Sequence, residues 1–179
     1  VQGIRPESIL TMTYTVAAAR DMEHRFAACF GEDAAKQMCF RTINGICSRI
    51  IRYYEQVMGR SAFRLLEDGG QKSTLLGELF RNLTNDFATE STIKSIQTAI
   101  TYVKNQMLRS EELSEIQVEG LNFPAFYQAY CKALRDRQLM DFDDQMVYAL
   151  RILRQYPQIL GAVRERYRYY CVDEAQDTS

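Results

Sequence analysis

Asp173-Glu174-Ala175-Gln176-Asp177 places three carboxylates and a carboxamide directly after the apolar run Tyr169-Tyr170-Cys171-Val172. The run has the length and β-prone composition of a strand buried on both faces. In parallel α/β sheets, ligands gather beyond the carboxyl ends of the strands. An acid in that position can hold Mg²⁺ while its neighbour polarises a water for attack on a phosphate. A bare Asp-Glu pair is equally the composition of a solvated turn; the longer string V-D-E-A-Q-D is the more specific signal. A second acidic group, Asp141, Asp143 and Asp144, lacks the alternation and the glycine of a calcium loop and reads as the N-cap and first turn of a helix. His24, the single histidine, falls in a charged part of a helical pattern and reads as solvated.

Composition narrows the classes. With 179 residues, 46% hydrophobic and 25% charged, the chain is globular and long enough for one full core or two small ones. The net charge is −1, so no whole-chain basic field advertises nucleic acid, and any such binding rests on a local groove. Five scattered cysteines contain no C-x-x-C pair, which fits reduced thiols in a cytoplasmic protein rather than a zinc site. No signal peptide or long apolar stretch is present. The chain opens on Val1 and ends soon after its acids, which suggests a piece of something longer.

The elements that must position the acids follow from periodicity. Ser8–Thr13 reads as a β-branched strand, and Thr15 offers an N-cap oxygen to a helix over 16–29 with Ala18, Met22 and Phe26 on one face. Met38–Thr42 reads as a second strand, followed by a helix through Ile46, Ile50 and Tyr54 that fades before Gly59. From about Phe63 to Gln138 the period is helical with no convincing strand, and Pro124 opens a helix through Phe126, Tyr130 and Leu134. After Asp141 a helix carries Phe142, Met146, Leu150 and Leu153 on one stripe, and Pro157 ends it and starts another through Leu160 and Val163. The tyrosines at 53, 54, 167, 169 and 170 read as core or strand residues. The expected fold is α/β, mostly helical by residue count, with a small parallel sheet. A helical insertion over 61–139 divides a domain made of 1–60 and 140–179.

At these residues the chain resembles a known family. "VDEAQDTS" is similar to motif II of UvrD/Rep-type superfamily 1 DNA helicases, "ILTMTYTVAAARDMEHRF" to motif Ia, and "MDFDDQMVYAL" to the segment preceding motif II. "FRTINGICSRII" occupies the place of motif Ib, and order and spacing agree over essentially the whole chain. The resemblance implies a partial RecA-like P-loop NTPase domain from a motor that translocates on single-stranded DNA and unwinds duplex by hydrolysing ATP, in DNA repair or recombination. Asp173 would ligate the Mg²⁺ of Mg-ATP, Glu174 would be the general base, and Gln176 and Asp177 would couple or support them. Tyr14 stands where an aromatic meets DNA bases, with Thr13, Thr15, Thr42 and Asn44 lining the same face. Val16 and Ala17 replace the usual Asn and Lys of motif Ia, and Thr42-Ile43-Asn44 replaces T-F-H, so polar and aromatic DNA contacts are lost.

The family's phosphate-binding loop G-x-x-x-x-G-K-[ST] precedes motif Ia and is absent from this sequence. "EDGGQKST" is a decoy without the required glycine spacing, and Lys72 reads as a surface residue. The chain alone is therefore expected neither to hydrolyse ATP nor to unwind DNA, and to self-associate through an uncovered sheet edge or face. Two rival readings share these motifs: a degenerate helicase-like module that binds protein, and the motor of a helicase-nuclease subunit.

Overall fold

The computed structural model describes residues 3–66 and 69–177, with only the backbone of Asp177. Two compact units divide the chain: Val1–Ala62 with Tyr148–Ser179, and Phe63–Val147.

The first unit is built on a parallel sheet of order β2-β1-β5, with β1 at Ile9–Thr13, β2 at Cys39–Thr42 and β5 at Tyr169–Val172. Helix α1 (Val16–Phe30) and the short α2 (Glu32–Gln37) connect β1 to β2, and α3 (Ile43–Met58) follows β2 directly. Phe40 turns toward α1, its ring 5.8 Å from that of Phe26. Strand alternation sends Cys39 to the opposite face, where its Sγ lies 3.5 Å from Tyr167 Oη. The expected face of α3 is buried: Ile46, Ile50 and Tyr54, joined by Cys47 and Ile51. Gly59 ends this helix in the left-handed conformation, its N–H donating to Glu55 O, a backbone shape that glycine adopts without a Cβ clash. Tyr54 packs edge-on to Tyr148 and Tyr156. Leu10 is buried at the centre of β1, a burial worth roughly 1.5–3 kcal/mol.

The second unit carries α4 (Gly69–Thr84), α5 (Glu90–Asn105) and α6 (Phe123–Asp136) around a core that includes Leu76, Ile96, Ile100, Phe123, Phe126 and Tyr130. Pro124 lies in the first turn of α6, where a missing N–H costs nothing. Contrary to the expectation of no strand here, β3 (Arg64–Leu65) pairs in parallel with β4 (Leu139–Met140). Two-residue strands are too short to show a period of two, so the sequence pattern could not reveal them.

Helix α7 (Phe142–Gln155) begins in the second unit and ends in the first; α8 (Pro157–Arg166) follows it. Its expected stripe is displaced. Asp143, Gln145, Ala149 and Ile152 are the buried positions, while Phe142 is exposed. In α8, Ile159 takes the core position expected of Leu160 and Val163.

A larger correction concerns β5. All four of its residues are exposed, with Tyr169, Tyr170 and Val172 among the most exposed large apolar side chains. Composition alone read them as doubly buried, but β1 is the only strand neighbour of β5 among the described residues.

Candidate functional site

The register of the sheet decides which side chains meet. Thr13 pairs with Thr42, and Met12 with Val172, so β1, β2 and β5 end together. Beyond Val172 the ladder continues for one bond, Asp173 N–H donating to Met12 O at 2.9 Å. Asp173 and Glu174 therefore stand at the same carboxyl edge as Thr13, Tyr14, Thr15, Thr42 and Asn44, which come from two other segments of the chain.

Each threonine at this edge has a local reason for its place. Thr13 is buried and its Oγ1 donates to Thr15 O at 2.9 Å, which closes the turn out of β1. Thr15 caps α1, accepting from Ala18 N–H at 3.1 Å, and Thr42 caps α3, accepting from Gly45 N–H at 3.0 Å. A Cβ on Gly45 would come within 3.1 Å of Thr42 Oγ1, so a side chain there would press on the cap. Both helices thus open at this edge, each contributing roughly half a positive charge from its aligned N–H groups, a field that favours anions. Tyr14, in the turn between β1 and α1, is 46% exposed. Asn44 Oδ1 is enclosed and accepts no hydrogen bond among the described residues.

The acids differ in setting. Asp173 is half-buried and Glu174 exposed. Glu174 adopts φ 52°, a left-handed conformation that costs a non-glycine residue of order 1 kcal/mol and recurs at functional sites. A 3₁₀ turn over Ala175–Asp177 follows, and Gln176 Nε2 donates to the Glu174 carboxylate. No cluster of three or more His, Cys, Asp or Glu able to hold a metal occurs among the described residues. Mg²⁺ asks for less, since it is ordinarily held by one or two carboxylates together with substrate phosphates and waters. Asp173, at the end of β5 beside the end of β1, fits that donor set.

A second polar constellation lies wholly within the helical unit. Asp141 and Asp144 cap α7 reciprocally: Asp144 N–H donates to Asp141 Oδ1 at 2.8 Å, and Asp141 N–H to Asp144 Oδ2 at 3.2 Å. The N-cap reading of D-F-D-D holds, and the structure adds partners that spacing could not show. Asp141 Oδ2 accepts from Lys104 Nζ at 2.9 Å, Tyr130 Oη at 2.8 Å and Lys72 Nζ at 3.2 Å. Lys104 also meets Asp144 at 2.8 Å, and Thr101 Oγ1 donates to Asp143 at 2.9 Å. Lys72 is therefore not the surface residue expected; its side chain is 18% exposed and ion-paired. Burial alone would raise the Asp141 pKa, but the Lys104 and Lys72 ammonium groups hold it well below the usual carboxylate range. Burial likewise opposes the Lys104 charge, and the two carboxylates outweigh it and raise its pKa. Asp144 goes up, through burial and the adjacent Asp141 charge against the pull of Lys104. His24 is exposed on α1, as expected, and all five cysteines are free thiols.

The sequence model of the UvrD/REP helicase N-terminal domain matches residues 1–179, and the chain belongs to that family. Among similar proteins, the ATP-dependent DNA helicase PcrA of Leuconostoc citreum is 28% identical over 179 residues, 99% of this chain and 24% of the relative. The ATP-dependent DNA helicase PcrA of Bacillus subtilis is 30% identical over 181 residues, 98% of this chain and 24% of the relative. The ATP-dependent DNA helicase UvrD1 of Mycobacterium leprae is 29% identical over 185 residues, 99% and 24% respectively. The chain thus spans about a quarter of the length of these relatives. No described helix is long and apolar enough to cross a membrane.

Proposed function

We propose that this chain is part of the first, RecA-like motor domain of an ATP-dependent DNA helicase that moves along single-stranded DNA and unwinds duplex, in DNA repair or recombination. Val1–Ala62 with Tyr148–Ser179 is then the motor part and Phe63–Val147 the insertion subdomain. The observation that carries the reading is the meeting, at one carboxyl edge, of the acids after β5 with the ends of β1 and β2 and the N-termini of α1 and α3. The relatives' helicase names support it.

In this reading Asp173 holds the Mg²⁺ of Mg-ATP, which when bound neutralises charge on the phosphate oxygens. Glu174 takes a proton from the attacking water, placed outward by its left-handed backbone, and Gln176 fixes its carboxylate. Tyr14 stacks on a base, Thr15, Thr42 and Asn44 form the polar floor beside it, and Thr13, buried beneath, holds the turn that carries Tyr14. The helix N-termini favour DNA phosphates, which lets a chain of net charge −1 meet a polyanion at this edge without a whole-chain basic field. The isolated chain is inactive in this reading and self-associates through the uncovered β5.

The decisive experiment is ATP hydrolysis by the intact parent with and without single-stranded DNA. Strong stimulation by DNA that vanishes in Glu174→Gln supports the motor. A folded parent that hydrolyses nothing points to a protein-binding relic.

A further inference from the structure

The first unit carries a strip of cations that the proposed motor chemistry does not use. β2 pairs with β1 alone among the described residues, so its outer edge is open. Along that edge runs a cleft of about 260 Å³ bearing Lys36, Arg41, Arg49 and Arg166 together with Glu7 and Glu23, an excess of two positive charges in a chain of net charge −1. A neighbouring slot of about 290 Å³ between α3 and α8 shares Arg49 and Arg166 and is otherwise mostly apolar, through Ile46, Ile50, Val163 and Tyr53.

Arg41, Arg49 and Arg166 form no ion pair among the described residues. Arg41 reaches only the Phe40 carbonyl at 3.4 Å, and Arg166 donates to Tyr167 Oη at 3.2 Å with its guanidinium 5.5 Å from that ring's centre. Guanidinium groups are planar forks matched to carboxylates, and three without an acidic partner beside an apolar slot form a charge-complementary surface.

We propose that this strip docks an acidic segment of a partner protein, its carboxylates on Arg41, Arg49 and Arg166 and one bulky apolar side chain in the slot between α3 and α8. A nucleic-acid strand fits less well. Glu7 and Glu23 would repel a phosphate track, and the slot offers an aliphatic floor where a sugar-phosphate chain needs polar contacts. The strip runs along β2 from Arg41 back to Glu7, Met38 and Tyr167, which precede or open the strands. Arginine-rich pockets beside apolar grooves are a recurrent way of reading acidic motifs.

The test is fluorescence anisotropy of the 179-residue chain with a labelled peptide of aspartates flanking a central phenylalanine. Control peptides carry serine for each aspartate, or alanine for the phenylalanine. The expected result is saturable binding that weakens at least tenfold with either control and with the double variant Arg49→Glu, Arg166→Glu. Oligothymidylate should not compete. The peptide controls alter nothing in the protein, so they decide the matter even where the charge reversal impairs folding. No saturable binding, equal binding of the serine peptide, or displacement by oligothymidylate overturns the proposal, the last assigning the strip to nucleic acid.

Discussion

Replacing Lys104 by methionine tests whether the buried charges around Asp141 hold the helical unit together. The Lys104 side chain is 4% exposed and touches both Asp141, at 2.9 Å, and Asp144, at 2.8 Å. Methionine preserves the length and most of the volume, so the cavity contribution is small and the loss is electrostatic. Removing one partner of a buried ion pair costs about 3–5 kcal/mol because the remaining charge is left uncompensated. Asp141 keeps Lys72 and Tyr130, which places the expected loss near the lower figure, about 3 kcal/mol. For a chain of this size that is a fall in Tm of roughly 6–12 °C, read by far-ultraviolet circular dichroism at neutral pH. The pH dependence has a definite sign. Asp141 titrates below its unfolded value, so its stabilisation is present above about pH 4 and is lost as pH falls toward the folded pKa. Lys104 titrates above its unfolded value, so its share is present below about pH 10 and is lost as pH rises beyond that. Asp144, raised, works against Asp141 on the acid side and blunts the loss there. Lys104→Met should therefore flatten the alkaline limb of the stability profile. A Tm within about 2 °C of the parent chain, with that limb unchanged, would refute the argument.

Four further outcomes follow from the sheet and its edge. Glu174→Gln in the intact parent should lower turnover by about 10²–10⁴-fold while nucleotide affinity, measured by calorimetry, stays nearly constant, since the shape is kept and the base removed. Tyr14→Ala should weaken single-strand binding by about 1–3 kcal/mol, read by anisotropy with a labelled oligonucleotide; unchanged affinity would return Tyr14 to a structural role. Thr42→Ala should cost the first unit about 1 kcal/mol in urea denaturation through loss of the α3 cap, and Thr42→Ser should restore most of it. Sedimentation velocity of the isolated chain should show association growing with concentration, reduced by Tyr170→Lys on the exposed β5; a clean monomer at every concentration sinks that expectation.

The parts of the fold that were legible are those where one segment carries its own signal. The α3 face, the Thr15 cap, the Pro124 start and the capping acids before α7 are all local patterns of type and spacing, and the structure has them in place. What resisted reading depends on neighbours distant in sequence. Lys72, Lys104, Tyr130 and Asp141 come from four separate segments, and no periodicity announces that they share one buried site. The burial of β5 was misread for the same reason: an apolar strand has the same letters at the edge of a sheet as in its middle. The α7 stripe slipped because Phe142 is apolar by type yet exposed at the first turn, while Gln145 is polar and buried. The carboxyl-edge residues were readable as motifs, whereas the common end of β1, β2 and β5 is a matter of register.

That register has a temporal side. Ile9 pairs with Tyr169, so β1 cannot gain its β5 neighbour until the ribosome has passed Tyr169. At about 5–20 residues per second, synthesis leaves β1 with one edge open for on the order of ten to thirty seconds. The helical unit, continuous from Phe63 to Val147, can condense on its own within that interval, whereas the sheet cannot. The nascent chain thus carries a finished helical body while an apolar strand still waits for its partner. Holdase chaperones should bind β1 during translation, and slowing the ribosome should lengthen the exposure in proportion.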